Sequence, residues 1–327
     1  MAFANSSVTD LMATGIESRT GEIADNVTKN NALLARLKER GRMKTFSGGT
    51  QIFQELSFQE NSNGGAYSGY DLLPVQAQDV ISAAAFAIKQ YAVPVVVSGL
   101  EMLQNAGKER IIDLVDSRLE VAEATMANLI TQGIYGDGTG YGGKAITGLD
   151  AAVEATLTAN QTSTYGGISR TTWAFWRNQY PAAGQTMNTA ATCQAVMNTL
   201  WGTCVRGADR PDLIIADPIT WGYYMASLQA IQRFVDVKKA NLGFPTILFM
   251  DADVVLDGGI GGFATTKTMY FLNTKYLFFR PHKDRNFVPL SPNRRYAINQ
   301  DAEVQILAWA GNLTCSGAQF QGRVTSA

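Results

Sequence analysis

Residues 108–132 constrain this chain more than any other stretch. Ile111, Val115, Leu119, Ala122, Met126 and Leu129 recur at steps of three and four, which puts them on one face of a long amphipathic helix. The run that follows, "GDGTGYGGKA" at residues 136–145, carries the letters of two phosphate-binding loops. Gly138, Gly143 and Lys144 stand at P-loop spacing, and Gly138, Gly140 and Gly143 spell G-x-G-x-x-G. Both motifs need a buried strand before the loop, and the P-loop also needs a Ser or Thr after its lysine to hold magnesium. Here a helix comes before and Ala145 comes after. The run therefore reads as a helix stop followed by a hinge. Gly133 and Gly136 are expected at the helix C-terminus, where glycine takes the left-handed conformation without steric cost. Gly136, Gly138, Gly140, Gly142 and Gly143 are the predicted hinge residues.

On the N-terminal side, "NALLARLKERGRMK" predicts a short helix with Leu33, Leu34 and Leu37 on one face and Gly41 as its stop. Its ridge is basic: Lys29, Arg36, Lys38, Arg40, Arg42 and Lys44 stand against Glu39 alone. Such a segment seeks carboxylates or phosphates. Then "TQIFQELSFQ", the turn "ENSNGG" and "AYSGYDLL" predict a hairpin over residues 49–71. Its strands carry too little apolar surface to stand alone, so it must lie on something else. "ISAAAFAIKQYAVPVVVS" reads as one long strand, at an edge or bulged where Pro94 removes an amide donor.

Beyond the glycines, a helix at residues 188–206, a strand "DLIIAD", a helix at residues 218–234 and a strand "TILFMDADVVL" alternate as a second, α/β domain. The strands around "TMYFLN", "KYLFFRP" and "AEVQILAWAGNL" are expected to return to the first sheet, because the early strand otherwise lacks partners.

Charge and composition narrow the partners. With 27 basic and 28 acidic side chains the net charge is −1, so no overall field draws nucleic acid or an anionic membrane. Only 17% of residues are charged while 46% are hydrophobic, which points to a surface largely covered by partners. No apolar run reaches membrane-spanning length, and "MAFANSSVTD" lacks the basic and apolar regions of a secretory signal. The Asn-x-Ser/Thr triplets at Asn5, Asn26, Asn160 and Asn312 carry no meaning in a chain that is not secreted. Cys193, Cys204 and Cys315 have no metal or redox spacing and read as reduced.

Catalytic arrangements are weak. Glu109, Asp113, Asp116, Glu120 and Glu123 form one carboxylate stripe on the long helix, where like charges repel and a cationic partner would relieve them. His282, in "FFRPHKDRN", reads as a surface loop histidine. Asp251 and Asp253 in "MDADV" could serve a metal-dependent α/β transferase, but they have neither a third ligand nor a nucleotide loop. Trp173 and Trp176 read as core rather than as a sugar platform. No enzyme, cofactor or metal site emerges.

The order of parts is informative: basic arm, hairpin, long strand, long helix, glycine turn, α/β domain, returning strands. With "KQYAVPVVVSGLEMLQNAG", "LITQGIYGDGTGYGGKAITGL", "YGGISRTTWAFWRNQY" and "AINQDAEVQILAWAGNLTCSGAQFQGRV", the chain resembles the Hong Kong 97-type major capsid proteins of tailed bacteriophages. The resemblance implies an α+β fold with an N-arm (1–45), an extended E-loop hairpin (46–75), a P-domain holding the long spine helix (76–145), an α/β A-domain (146–265) and returning strands (266–327). It implies self-assembly into hexamers and pentamers of an icosahedral virion shell in the host cytoplasm. The shell would enclose double-stranded DNA by non-specific contact, beside portal, decoration and separate scaffolding proteins. Arg36, Lys38, Arg40, Arg42, Glu109, Asp113, Asp116 and Glu120 are the expected subunit or lumen contacts. An encapsulin-like cellular container is the alternative on the same fold. Some relatives crosslink through a hairpin lysine, but residues 51–70 contain none, so an uncrosslinked shell is expected.

Overall fold

The structure is a computed structural model that describes residues 31–104, 108–181, 185–229, 246–258, 262–290, 295–296 and 302–326. Lys29 lies outside the described residues, as do the side chains of Glu109, Asp113 and Asp116. Helix α1 (Ala32–Glu39) begins where the Asn31 side chain accepts from the Leu34 amide, and it buries Leu33, Leu34 and Leu37 completely. Gly41 follows with φ 64° and ends it, as its position predicts.

The first sheet is centred on β12 (Ala302–Cys315), which pairs antiparallel with β3 (Lys89–Ser98), β10 (Leu277–Pro289) and the short β11 (Arg295–Tyr296). Strand β3 is the edge, and Pro94 sits opposite Ile306 in continuous register. Its missing amide is tolerated because, among the described residues, no strand pairs with its outer side. After α2 (Gly99–Gln104), the long helix α3 (Lys108–Tyr135) packs on β3. It buries Leu119, Ala122, Met126, Ile130 and Ile134, whereas Leu129 is half-buried. The stripe thus continues by steps of four at this end. Gly133 corrects the sequence reading, because it lies inside α3. A Cβ there would stand 2.7 Å from the Tyr91 hydroxyl, so its role is close approach rather than helix termination.

The second sheet runs in the order β13 (Gly322–Thr325), β9 (Thr268–Leu272), β6 (Leu213–Ala216), β8 (Ala252–Leu256), β7 (Thr246–Phe249). Only β6 and β8 are parallel. Helices α4 (Ala190–Cys204) and α5 (Pro218–Gln229) pack together beside it. Two expectations change here. "TILFMDADVVL" is a hairpin, turned at Met250 with φ 51° so that Phe249 faces Ala252. "TMYFLN" joins this sheet beside β6 rather than the first one.

The hairpin also differs from its expected form. Strand β1 (Gln51–Ser57) pairs with β2 (Ile81–Ala87), from Gln51 opposite Ala87 to Ser57 opposite Ile81. Residues 66–73 form no strand. The long strand read from "ISAAAFAIKQYAVPVVVS" breaks at Ile88, and its first half turns back to β1 while its second half joins β12. The hairpin root does find something to lie on, within its own chain. Ile52, Leu56, Ala84 and Phe86 are buried, and the Ala85 amide donates to the Gly166 carbonyl at 2.9 Å. Gly166, in the turn between β4 (Thr164–Tyr165) and β5 (Ile168–Ser169), has φ 57° and leaves room for Phe86, whose ring a Cβ would approach to 2.9 Å.

Candidate functional site

Residues 42–46 of the arm add a short parallel rung to β10. The Lys44 amide donates to the Phe279 carbonyl at 3.0 Å, and the Lys283 amide donates to the Phe46 carbonyl at 2.9 Å. Just upstream, Arg36 Nη2 lies 2.8 Å from Asp253 Oδ2 and Nη1 lies 2.8 Å from Glu39, while Arg40 reaches Asp212 at 3.5 Å. Burial weighs against the Arg36 charge, but Glu39, Asp253 and Asp212 outweigh it and hold its pKa above the ordinary value. The described carboxylate partners of Arg36 and Arg40 are thus Glu39 in α1 and two carboxylates of the second sheet region, Asp212 and Asp253. Lys38 and Glu120 are exposed.

Arg42 and Lys44 have a different setting. With Arg280 they surround the buried Phe278 ring, with cationic atoms 5.3, 5.4 and 5.6 Å from its centroid. Arg280 donates to Gln54 at 2.7 Å, yet the Nε atoms of Arg42 and Arg280 are buried without an acceptor. Burial lowers the Arg280 pKa, and Glu55 opposes that shift. Among the described residues, neither Arg42 nor Lys44 makes an ion pair. The arm reading found Arg42 and Lys44 but missed Phe278 and Arg280. Strand alternation would have shown them, since residues 278, 280 and 282 share one face of β10.

The outer hairpin presents the opposite character. Tyr67, Tyr70, Leu72, Leu73, Val75 and Ile81 are all exposed, Tyr70 and Leu72 almost fully. Between residues 51 and 87 the charged side chains are Glu55, Glu60, Asp71 and Asp79, with no lysine or arginine. An apolar groove lies between β3 and α3, where Val96 and Val121 are exposed. At its end Arg118 Nη2 meets Glu101 at 2.5 Å, and this contact pulls the Glu101 carboxyl down to about 2.

The glycine run forms a closed turn. Gly138, Tyr141, Gly142 and Gly143 all have positive φ, and a Cβ at Gly142 or Gly143 would meet nothing within 4 Å. The Gly136 amide donates back to Gln132, and Gly140 accepts from Lys144 at 3.2 Å.

The enzyme-like residues are structurally engaged. Asp251 is paired with Arg210 at 2.7 Å, and Asp253 is buried against Arg36. Among the described residues, no group of His, Cys, Asp and Glu could hold a metal ion. His282 lies in β10 rather than in a loop, edge-on to Phe46 at 4.9 Å, and its Nδ1 accepts from the Asp284 amide. Cys193, Cys204 and Cys315 are free and buried, and burial pushes each thiol up to about 12. Trp176 is core, its Nε1 donating to the Tyr165 carbonyl, while Trp173 is partly exposed against Phe58. No helix among the described residues is long and apolar enough to cross a membrane.

No family model matches the sequence, and no curated protein matches it. Solved structures do match. A chain of the cyanophage A-1(L) capsid asymmetric unit aligns over 99% of this chain and 95% of its own length, with a TM-score of 0.63 at 16% identity. The capsid of a native GTA particle aligns over 88% and 89%, with a TM-score of 0.53 at 12% identity. The satellite phage P4 procapsid, which includes a size determination (Sid) protein, aligns over 94% and 90%, with a TM-score of 0.51 at 9% identity. At such identities the shared property is the fold.

Proposed function

We propose that this chain, which has the mixed helix-and-sheet fold of these phage capsids, is a major capsid protein of the Hong Kong 97 type. On this reading it is a structural shell subunit rather than an enzyme. The observation that carries the reading is the end-to-end match to the cyanophage A-1(L) capsid chain, since both chains are covered almost completely. The exposed hairpin gives it physical sense. Six large apolar side chains in water are a liability for a free monomer but an asset for a subunit whose neighbour covers them. The β3 edge and its apolar groove likewise suit coverage by another copy.

In this reading residues 1–45 are the N-arm and the first sheet with α3 is the peripheral domain. The second sheet is the axial domain around the ring centre. The hairpin extension runs from β1 to β2, so it ends near residue 87 rather than 75. Hexamers and pentamers tile a virion shell around double-stranded DNA, with portal, scaffolding and decoration proteins as separate partners. The glycine turn at residues 136–143 serves as the hinge between the domains as a precursor shell expands.

The test is negative-stain electron microscopy with sedimentation of the purified recombinant chain. Closed shells, or tubes and rings of hexamers, are the expected outcome. A homogeneous small particle that stays small across protein concentration, salt and crowding conditions and forms no ring, tube or shell would overturn the reading.

A further inference from the structure

We propose that the Arg42, Lys44 and Arg280 cluster around Phe278 receives the carboxylates of Asp71 and Asp79 from the hairpin of a second copy. The proposal rests on the shell reading above and names the polar half of its hairpin contact.

Two independent observations meet here. The first is the cluster itself. Three cations converge on one ring, two guanidinium Nε donors are buried without acceptors, and neither Arg42 nor Lys44 has a carboxylate among the described residues. Like charges gathered this closely repel one another, and an arriving carboxylate relieves that repulsion at the exposed Lys44 and the half-buried Arg42. The second is the one-sided charge of the hairpin, whose four charged side chains between residues 51 and 87 are all acidic. Glu60 is held by its own Arg206 at 3.3 Å, and Glu55 acts on its own Arg280. Asp71 and Asp79 remain exposed: Asp71 lies between Tyr70 and Leu72 and accepts, among the described residues, only from its own Ser68 amide at 2.8 Å, and Asp79 precedes β2.

A phosphate backbone has the right charge but the wrong setting. The cluster flanks the hairpin root, and Arg42 also lines a cleft whose other cations, Arg40, Arg210 and Lys275, are each paired with a carboxylate there, Asp212, Asp251 and Asp209. A continuous polyanion would have to compete with these carboxylates for their cations, whereas two isolated aspartates on a neighbouring hairpin need only Arg42, Lys44 and Arg280. Apolar side chains nearby would supply the contact area while the ion pairs fix register and exclude misplaced neighbours.

The test is a charge swap in the full-length chain, with shell yield read by sedimentation and electron microscopy. Arg42→Glu with Lys44→Glu, and separately Asp71→Lys with Asp79→Lys, are each expected to lower the shell fraction roughly tenfold or more, because like charges then face each other. The fourfold variant is expected to recover most of the wild-type yield, since a direct pair is non-additive. Thermal melts of the unassembled chains identify any variant that fails to fold. For such a variant the neutral set Arg42→Gln, Lys44→Gln, Asp71→Asn and Asp79→Asn is scored for the same non-additivity. Unchanged yield in either double variant, or no recovery in the fourfold one, overturns the pairing while wild-type shells keep the capsid reading intact. Normal shells that lose only bound nucleic acid would overturn it in favour of phosphate. If the wild type forms no shell under any condition, it is the capsid reading that fails.

Discussion

At the scale of single residues, glycines separate cleanly by what surrounds them. At Gly148 a Cβ would fall 2.2 Å from the Ile134 carbonyl oxygen, in backbone that cannot move aside. Gly148→Ala is expected to cost about 3 kcal/mol or more, read as a lowered melting temperature. Gly202, in α4, has open space around its absent Cβ. Gly202→Ala is expected to stabilise by about 0.5–1 kcal/mol, as a helix-interior glycine releases its entropy cost. Neither outcome is legible in the sequence, because a glycine's letter does not disclose its neighbours. Asp257 makes a second case. Its carboxyl is buried, accepts from the Tyr135 hydroxyl at the end of α3, and has its pKa raised by that burial. A raised value means the folded chain holds the proton more tightly than the unfolded one, so stability is fuller at low pH and falls as pH rises through the folded value. Asp257→Asn is expected to remove that loss, raising the melting temperature at neutral pH and flattening its dependence on pH above the ordinary 3.8. A lower melting temperature at neutral pH would refute this.

At the scale of elements, the described part of the arm, from residue 31 on, is packed into the core. Arg36 holds Asp253, whose side chain is only 2% exposed, across the interval between α1 and the second sheet. Arg36→Met takes the guanidinium away from that buried carboxylate, at an expected cost of about 3–5 kcal/mol in a chemical denaturation curve of the unassembled chain. A change within error would show that the Arg36–Asp253 pair does not hold α1 on the second sheet. Sequence reasoning recognised the helix, its leucine face and its basic ridge, because these follow local periodicity. It could not see that the ridge's partners were Asp212 and Asp253, since a pairing between positions so distant in the chain leaves no periodic trace. The hairpin failed for a related reason. Strand β1 announced itself by alternation, but the long stretch to β2 hid the partner, and the run "ISAAAFAIKQYAVPVVVS" gave no sign of its break at Ile88. The buried positions change phase across the break, from Ala84 and Phe86 to Tyr91, Val95 and Val97, and the small apolar letters around Ile88 conceal that shift.

At the scale of the whole molecule, the hairpin's lack of lysine extends beyond residue 70 to the full β1–β2 unit. Shells boiled in detergent are expected to run as single chains of 35.4 kDa; a ladder of larger species would contradict the uncrosslinked reading. The hinge is tested at the same scale. Gly142 and Gly143 have φ of 67° and 82°, a region that resists Cβ-bearing residues other than Asn and Asp. The alanine pair is expected to slow expansion of precursor shells in time-resolved scattering, and the asparagine pair to slow it less. Expansion at the wild-type rate in the alanine pair would remove the hinge role. Helices α1 and α3 and strand β1 were readable from the sequence because each has its own period. Their three-dimensional neighbours were not.

Strand β12 is where the chain closes on itself. It supplies the partner for β3 along ten residue pairs, from Ala302 opposite Ser98 to Gly311 opposite Lys89, and the partner for β10, which in turn carries the arm. A ribosome that has not yet released residues 302–315 therefore holds a chain whose edge strand, arm and long helix have no finished support. Contacts of such sequence separation form late and slowly. On the capsid reading, synthesis itself would act as a quality gate, since a copy truncated before β12 would lack the strand that completes the β3 face.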